Sequence, residues 1–271
     1  MVQNKTKLSM RLRHWARTVA ITFEVTLRQN FTDAFIVFAI IVQPVIIAVI
    51  ALWMLRERGG DYAIFVVVGS GMTGLWSGLL FISGNSITEE RWVGTLEGLV
   101  ASPTPIQVVV LGKNLANVMQ SLLSMVASYV LVAWLFNLDV QIAQPLIFVA
   151  SIFFMVISFI AFGLIMASLF IVTPAIRDFQ NGLEFPVYIL CGFLFPIALL
   201  PGWTTPISYL LTPYWAARVL HASATGTAST NEVLLSWGMM LLFGALYLAG
   251  SRGLFRYVLR KARVDATLGM Q

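Results

Sequence analysis

Two short segments hold most of what could do chemistry in this chain. Gly112-Lys113-Asn114 has the glycine and lysine of a phosphate-binding loop. However, the upstream glycine position holds Gln107, and Asn114 stands where a Ser or Thr hydroxyl would meet magnesium, so ATP cannot be bound there in that way. The other segment is Glu89-Glu90-Arg91-Trp92-Val93-Gly94-Thr95-Leu96-Glu97-Gly98-Leu99-Val100-Ala101-Ser102-Pro103-Thr104-Pro105. At about 100° per residue, Trp92, Val93, Leu96, Leu99 and Val100 share one arc, opposite Glu90, Gly94, Glu97, Gly98 and Ala101. Glu89 and Glu90 suit the positive end of a helix dipole, and Pro103 and Pro105 stop the helix. The pattern predicts one amphipathic helix over 89–105, a surface for a protein partner in water.

The elements on either side are apolar runs. Of the 271 residues 59% are hydrophobic and 11% charged, against roughly 25% charged in soluble domains. Runs of about 20 apolar residues cross a hydrocarbon core of about 30 Å, and only helices or closed barrels do so with every backbone group bonded. These runs are too long for barrel strands, so the expected class is an all-α membrane protein. Six spans are read at 34–55, 62–87, 106–136, 146–172, 182–200 and 233–255. The third exceeds a bilayer width, which places its start, with Lys113, in the headgroup region or cytosol.

Basic residues set the orientation. Lys5, Lys7, Arg11, Arg13, Arg17, Arg28, Arg91, Lys113, Arg177, Arg252, Arg256, Arg260, Lys261 and Arg263, 14 of the 17 Lys and Arg, fall on one side, and Arg56, Arg58 and Arg218 on the other. By the positive-inside rule both termini and the 89–105 helix are cytoplasmic. The net charge of +5 is then a topology signal and not a sign of nucleic-acid binding. His14 and His221 lie on opposite faces of the membrane and Cys191 is alone within it, so no metal or disulfide site is expected within one chain.

The organisation expected is a cytoplasmic amphipathic head (1–33), a six-span domain (34–258) and a basic cytoplasmic tail (259–271). The head mixes Arg and Lys with Leu12, Trp15, Val19, Ile21, Phe23, Val25 and Leu27, which reads as an interfacial helix. It lacks the pattern of a cleavable signal peptide. Ser70, Gly74 and Gly78 recur at four-residue spacing as a helix-packing seam, as do Gly163 with Ala167, within the chain or between copies. Pro44 and Pro186 are expected to kink their spans.

Residues 196–232 are too apolar for a plain loop and too broken by prolines to span. Pro196, Pro201, Trp203, Tyr214 and Trp215 mark helical stubs that dip into the outer leaflet, or an aromatic belt that anchors helix ends. Ionisable residues are scarce within the spans, which speaks against a proton-coupled pump or ion channel. The exception is Glu184, expected to cap its helix start or pair with Arg177 in preference to touching substrate.

The run 90–97, Pro103-Thr104-Pro105, Gly112-Lys113, Phe195-Pro196 and Leu200-Pro201-Gly202-Trp203, set among six spans, resembles the permease subunit of type-2 ABC exporters over essentially the whole chain. The resemblance looks closer to the drug-resistance and nodulation-type branch, although Arg177-Asp178 is also seen in the polysaccharide branch. It implies that the segment after the second span is a coupling helix docking on a separate ATPase, with Glu89, Glu90, Arg91, Gly94, Thr95, Leu96 and Glu97 facing or supporting that contact. It also implies re-entrant outer helices and a pathway completed by a second permease, either a copy or a paralogue. The chain itself would be no enzyme and would carry no cofactor, because ATP and magnesium would sit on the partner ATPase. The setting is a bacterial inner membrane, with lipid and not nucleic acid as surroundings. The implied cargo is an amphipathic small molecule or drug, or alternatively a lipid-linked polysaccharide or glycolipid. A secondary transporter or channel would need charged or broken-helix ion sites. A lipid-modifying enzyme would need a polar catalytic cluster, and the sequence shows neither.

Overall fold

The structure is a computed structural model that describes residues 2–38, 42–55, 61–102, 104–136, 141–172, 180–193, 197 and 200–265. Among these residues the chain is helical, with no strand. Helix α1 (Val2–Thr32) is followed by a short α2 (Ala34–Val37) and by α3 (Gln43–Leu55). Helix α4 (Asp61–Ser77) passes through a π-helical stretch, Gly78–Ser83, into α5 (Gly84–Val93), and α6 (Leu96–Ala101) comes next. Helices α7 (Ile106–Phe136), α8 (Pro145–Val172) and α9 (Gln180–Leu190) lead to the outer pieces α10 (Thr205–Tyr209) and α11 (Thr212–Thr225). Helix α12 (Thr230–Asp265) ends the described chain.

Among the described residues three helices are both long and apolar enough to cross a bilayer: Val66–Val93, Pro145–Phe170 and Thr230–Tyr257, of 28, 26 and 28 residues. At about 1.5 Å per residue each reaches roughly 39–42 Å, past the ~30 Å hydrocarbon core, so their polar ends stand outside it. The chain is a multi-pass integral membrane protein. The remaining expected spans have a different character. In the first, α2 ends at Val37 and α3 begins at Gln43, Phe38 and Val42 are π-helical, and Pro44 is the second residue of α3. The third, α7, has the expected 31 residues but carries a polar stripe on its buried face. The fifth, α9, has 11 helical residues, about 16 Å at helical rise, with Pro186 inside. Gly192, at φ 67, ends it in the left-handed conformation that glycine adopts without Cβ strain.

Burial ranks the helices. Within its most apolar window Val66–Val93 is 94% buried, against 22% for Thr230–Tyr257, so the second span is the axis of the bundle and the last one faces outward. Around that axis α4 packs on α3, α7 and α11, while α8 packs on α11 and α12. Aromatic contacts fill the centre: Trp76 stacks on Phe162 at 4.7 Å, and Phe154 on Trp237 at 4.7 Å. Close approach is made at glycines. A Cβ on Gly71 would collide with Met125, one on Gly84 with Phe170, and one on Gly163 would lie 2.7 Å from Asn114 Nδ2. The expected seam residues Ser70, Gly74 and Gly78 are buried, and the Ser70 hydroxyl is turned to its own helix, donating to the Val67 carbonyl at 2.9 Å.

Candidate functional site

The second span does not release its polar end into a new helix. Glu89 and Glu90 lie in the last turn of α5, which runs straight out of the membrane-crossing helix, and Gly94 at φ 79 then caps it. The Gly94 N–H bonds the Arg91 carbonyl at 3.2 Å and the Thr95 N–H bonds the Glu90 carbonyl at 2.9 Å, the paired bonds of a Schellman ending. This corrects the single helix expected over 89–105. Trp92 and Val93 close one helix while Leu96 and Leu99 belong to another, so the apolar arc is cut at Gly94. The reason is local: only glycine takes this conformation at no steric cost, and it sits where the arc required continuous helix.

The cut divides the arc by environment. Trp92 is 79% and Val93 75% exposed, whereas Leu96 is 5% exposed and packs with Ile87, Ile106, Val110, Leu164, Ala167 and Phe255. The two carboxylates also change role, because they stand at the negative end of α5 and not at a helix start. Glu90 is met there by Lys113 Nζ at 2.6 Å, and Lys113 also donates to the Ser86 carbonyl at 3.1 Å. Thr95 adds its hydroxyl, donated to the Glu90 carboxylate and to the Glu90 carbonyl at 3.2 Å. Glu89, Gly94, Thr95 and Gly98 are exposed and Arg91 half-buried. Glu97 is the second residue of α6, and Pro103 lies outside the described residues.

Helix α1 braces this elbow from the side of α7. His14 Nε2 is 3.1 Å from Thr104 Oγ1, and Asn30 Nδ2 donates to Asn117 Oδ1 at 2.7 Å. Gly112 lets the two helices touch, since a Cβ there would lie 2.8 Å from the Val19 carbonyl oxygen. The phosphate-loop fragment thereby acquires a structural account: Gly112 is a crossing point, Lys113 an ion-pair partner and Asn114 a fully buried residue. Leu12, Trp15, Ile21 and Val25 remain exposed on α1, the apolar surface of an interfacial helix.

Deeper in, polar groups collect around the π-helical stretch, whose wider turns free carbonyls from the i→i−4 ladder. Gln180 Nε2 donates to the Leu80 carbonyl at 2.9 Å, and Asn85 Nδ2 to the Phe81 carbonyl at 2.7 Å. Asn117 Nδ2 reaches Ser83 Oγ at 2.9 Å. Glu184 stands one turn inside α9 and not at its start, and its carboxylate accepts from Ser77 Oγ and Tyr188 Oη, each at 2.5 Å. This replaces the expected helix cap, while Arg177 lies outside the described residues. The sequence reading missed Ser77, Tyr188, Asn117 and Gln120. A signal was available in Lys113, Asn117, Gln120 and Ser124, which recur at helical spacing on α7 and are buried or half-buried.

Within 200–232 the aromatic residues separate. Tyr214 and Trp215 are 7% and 5% exposed, Trp215 Nε1 donates to the Tyr209 carbonyl at 3.0 Å, and its ring stacks on Tyr209 at 5.6 Å. Trp203 is 71% exposed and Pro201 is exposed beside it, while Pro196 lies outside the described residues. The helices here, of 5 and 14 residues, are too short to span.

A family model described as ABC-2 type transporter matches residues 18–224. The chain belongs to the ABC-2 type transporter family. No curated protein matches it. The family match runs from the middle of α1 to the end of α11, taking in the elbow, the Glu184 cluster and the outer stubs. This ABC-2 chain is thus a membrane subunit of an ABC transporter, of a permease family and not a catalytic one. Membership sets aside the secondary-transporter, channel and lipid-enzyme readings.

Proposed function

We propose that this ABC-2 chain is the permease of an ATP-driven exporter in a bacterial inner membrane. In this reading it has six spans and both termini in the cytosol, and it couples to a separate ATPase through the elbow at Gly94. The observation that carries the proposal is the elbow's construction. Trp92 and Val93 stand in solvent at 79% and 75% exposure on a turn that the Glu90–Lys113 pair ties to α7 at 2.6 Å. Large apolar groups held rigidly in water are the form of a protein contact. A push on the elbow reaches α7 through Lys113 and the bundle axis through α5, so closure of two ATPase subunits would move spans as rigid bodies. A second permease, a copy or a paralogue, would complete the pathway, and the cargo would be an amphipathic small molecule or drug.

The test is to express the chain with the ATP-binding cassette protein encoded beside it. Wild-type chain is expected to co-purify with the ATPase and stimulate its hydrolysis. Trp92→Ala combined with Val93→Ser is expected to abolish both while leaving membrane insertion intact. Unchanged co-purification and stimulated hydrolysis in that variant would sink the coupling assignment.

A further inference from the structure

We propose that Glu184 anchors a binding site for lipophilic organic ammonium ions, with Phe185, Tyr188 and Phe193 as its aromatic wall. The proposal rests on the exporter reading and names the substrate class. Glu184 is 5% exposed in a segment between membrane-embedded helices. A carboxylate so buried is costly unless a counter-charge meets it, and intramembrane charges of this kind mark substrate or ion sites. Ion pairs among the described residues join Arg28 to Glu24, Lys113 to Glu90 and Arg218 to Glu232, and Glu184 is in none of them. Its protein partners are two hydroxyls, both on Oε1, and no hydrogen bond among the described residues reaches Oε2. Hydroxyls satisfy lone pairs but leave the unit of negative charge unbalanced, and an organic cation set against the carboxylate supplies what is lacking.

The surrounding rings fit the same ligand. Tyr188 lies 5.9 Å from Phe185, edge to face, and 5.8 Å from Phe193. A ring face attracts a cation within about 6 Å, and a carboxylate among aromatic rings is how quaternary and tertiary amines are recognised. Phe185 is 58% exposed and Phe193 fully buried, so the rings on either side of Tyr188, which itself bonds Glu184, run from the open side of α9 into the core. Gly182, Leu183, Pro186 and Ile189 are also exposed on α9, giving an apolar body a surface beside the charged anchor.

The full chain, reconstituted in discs of phosphatidylcholine and phosphatidylglycerol, would be titrated with ethidium by fluorescence, with the uncharged N-phenyl-1-naphthylamine as a second probe. Glu184→Gln keeps the shape and an acceptor oxygen but removes the charge, and is expected to weaken ethidium binding about tenfold or more. Naphthylamine binding and the unfolding temperature should be unchanged. Tyr188→Phe keeps the ring and should weaken ethidium by only about two- to threefold. Displacement of ethidium by added phosphatidylethanolamine in wild type and not in Glu184→Gln would also support the site, with a lipid amine as its ligand. Wild-type chain that fails to bind ethidium, equal ethidium affinity in Glu184→Gln, or parallel loss of both probes would overturn the proposal. Binding is read on the permease alone, so failure to recruit an ATPase would sink the exporter reading without touching this result.

Discussion

The elbow at Gly94 and the helix pair of α10 and α11 both join apolar segments, and both carry tryptophan, yet they treat it in opposite ways. Trp215 is 5% exposed, with its N–H bonded and its ring stacked, whereas Trp92 is 79% exposed on a turn held in place by an ion pair. Burial within the chain covers the ring on α11 and leaves the ring at the elbow exposed. A side chain buried in its own fold contributes more to stability than one left mostly in water. The two tryptophans therefore separate a ring packed within the fold from one held at the surface.

Substitutions can break this contrast or sharpen it. Trp215→Ala removes a packed ring and is expected to lower stability by about 3–5 kcal/mol, read as thermal unfolding in detergent. Lys113→Met leaves Glu90 half-buried beside an apolar chain and should cost about 1–3 kcal/mol, with partial recovery in the double variant Glu90→Lys with Lys113→Glu. Gly94→Ala forces a Cβ into the left-handed region for about 1–2 kcal/mol, and the same unfolding curve reads it. Trp92→Ala should shift stability by no more than about 0.5 kcal/mol and yet abolish ATPase recruitment. Trp203→Ala, at an exposed outer site, should change neither by a measurable amount. If Trp92→Ala destabilised the chain as much as Trp215→Ala, the distinction between the two ends would fail.

Much of the architecture could be read from residue order. The bounds of α7 follow from an apolar run that begins after Pro105, and the brevity of the outer helices follows from Pro201, Pro206 and Pro213. The helix expected over 89–105 shows where such reading stops. Its hydrophobic arc is genuine as a periodicity, but a period does not reveal that Gly94 will leave the helix, nor that Lys113 will wait beside Glu90. Lys113 is 23 positions away from Glu90 in the chain and 2.6 Å away in space. The Glu184 cluster was hidden for the same reason, because Ser77 and Tyr188 are brought together only when α9 packs beside the π-helical stretch.

What the sequence determined by itself is the membrane class, the helical content, the orientation signal in its basic residues and the family, because each depends on composition or on local order along the chain. Which carboxylate is paired, which tryptophan is covered and which glycines let helices touch were decided only by the tertiary structure. Burial and charge pairing are properties of neighbours in space, and packing these helices around the second span chooses those neighbours.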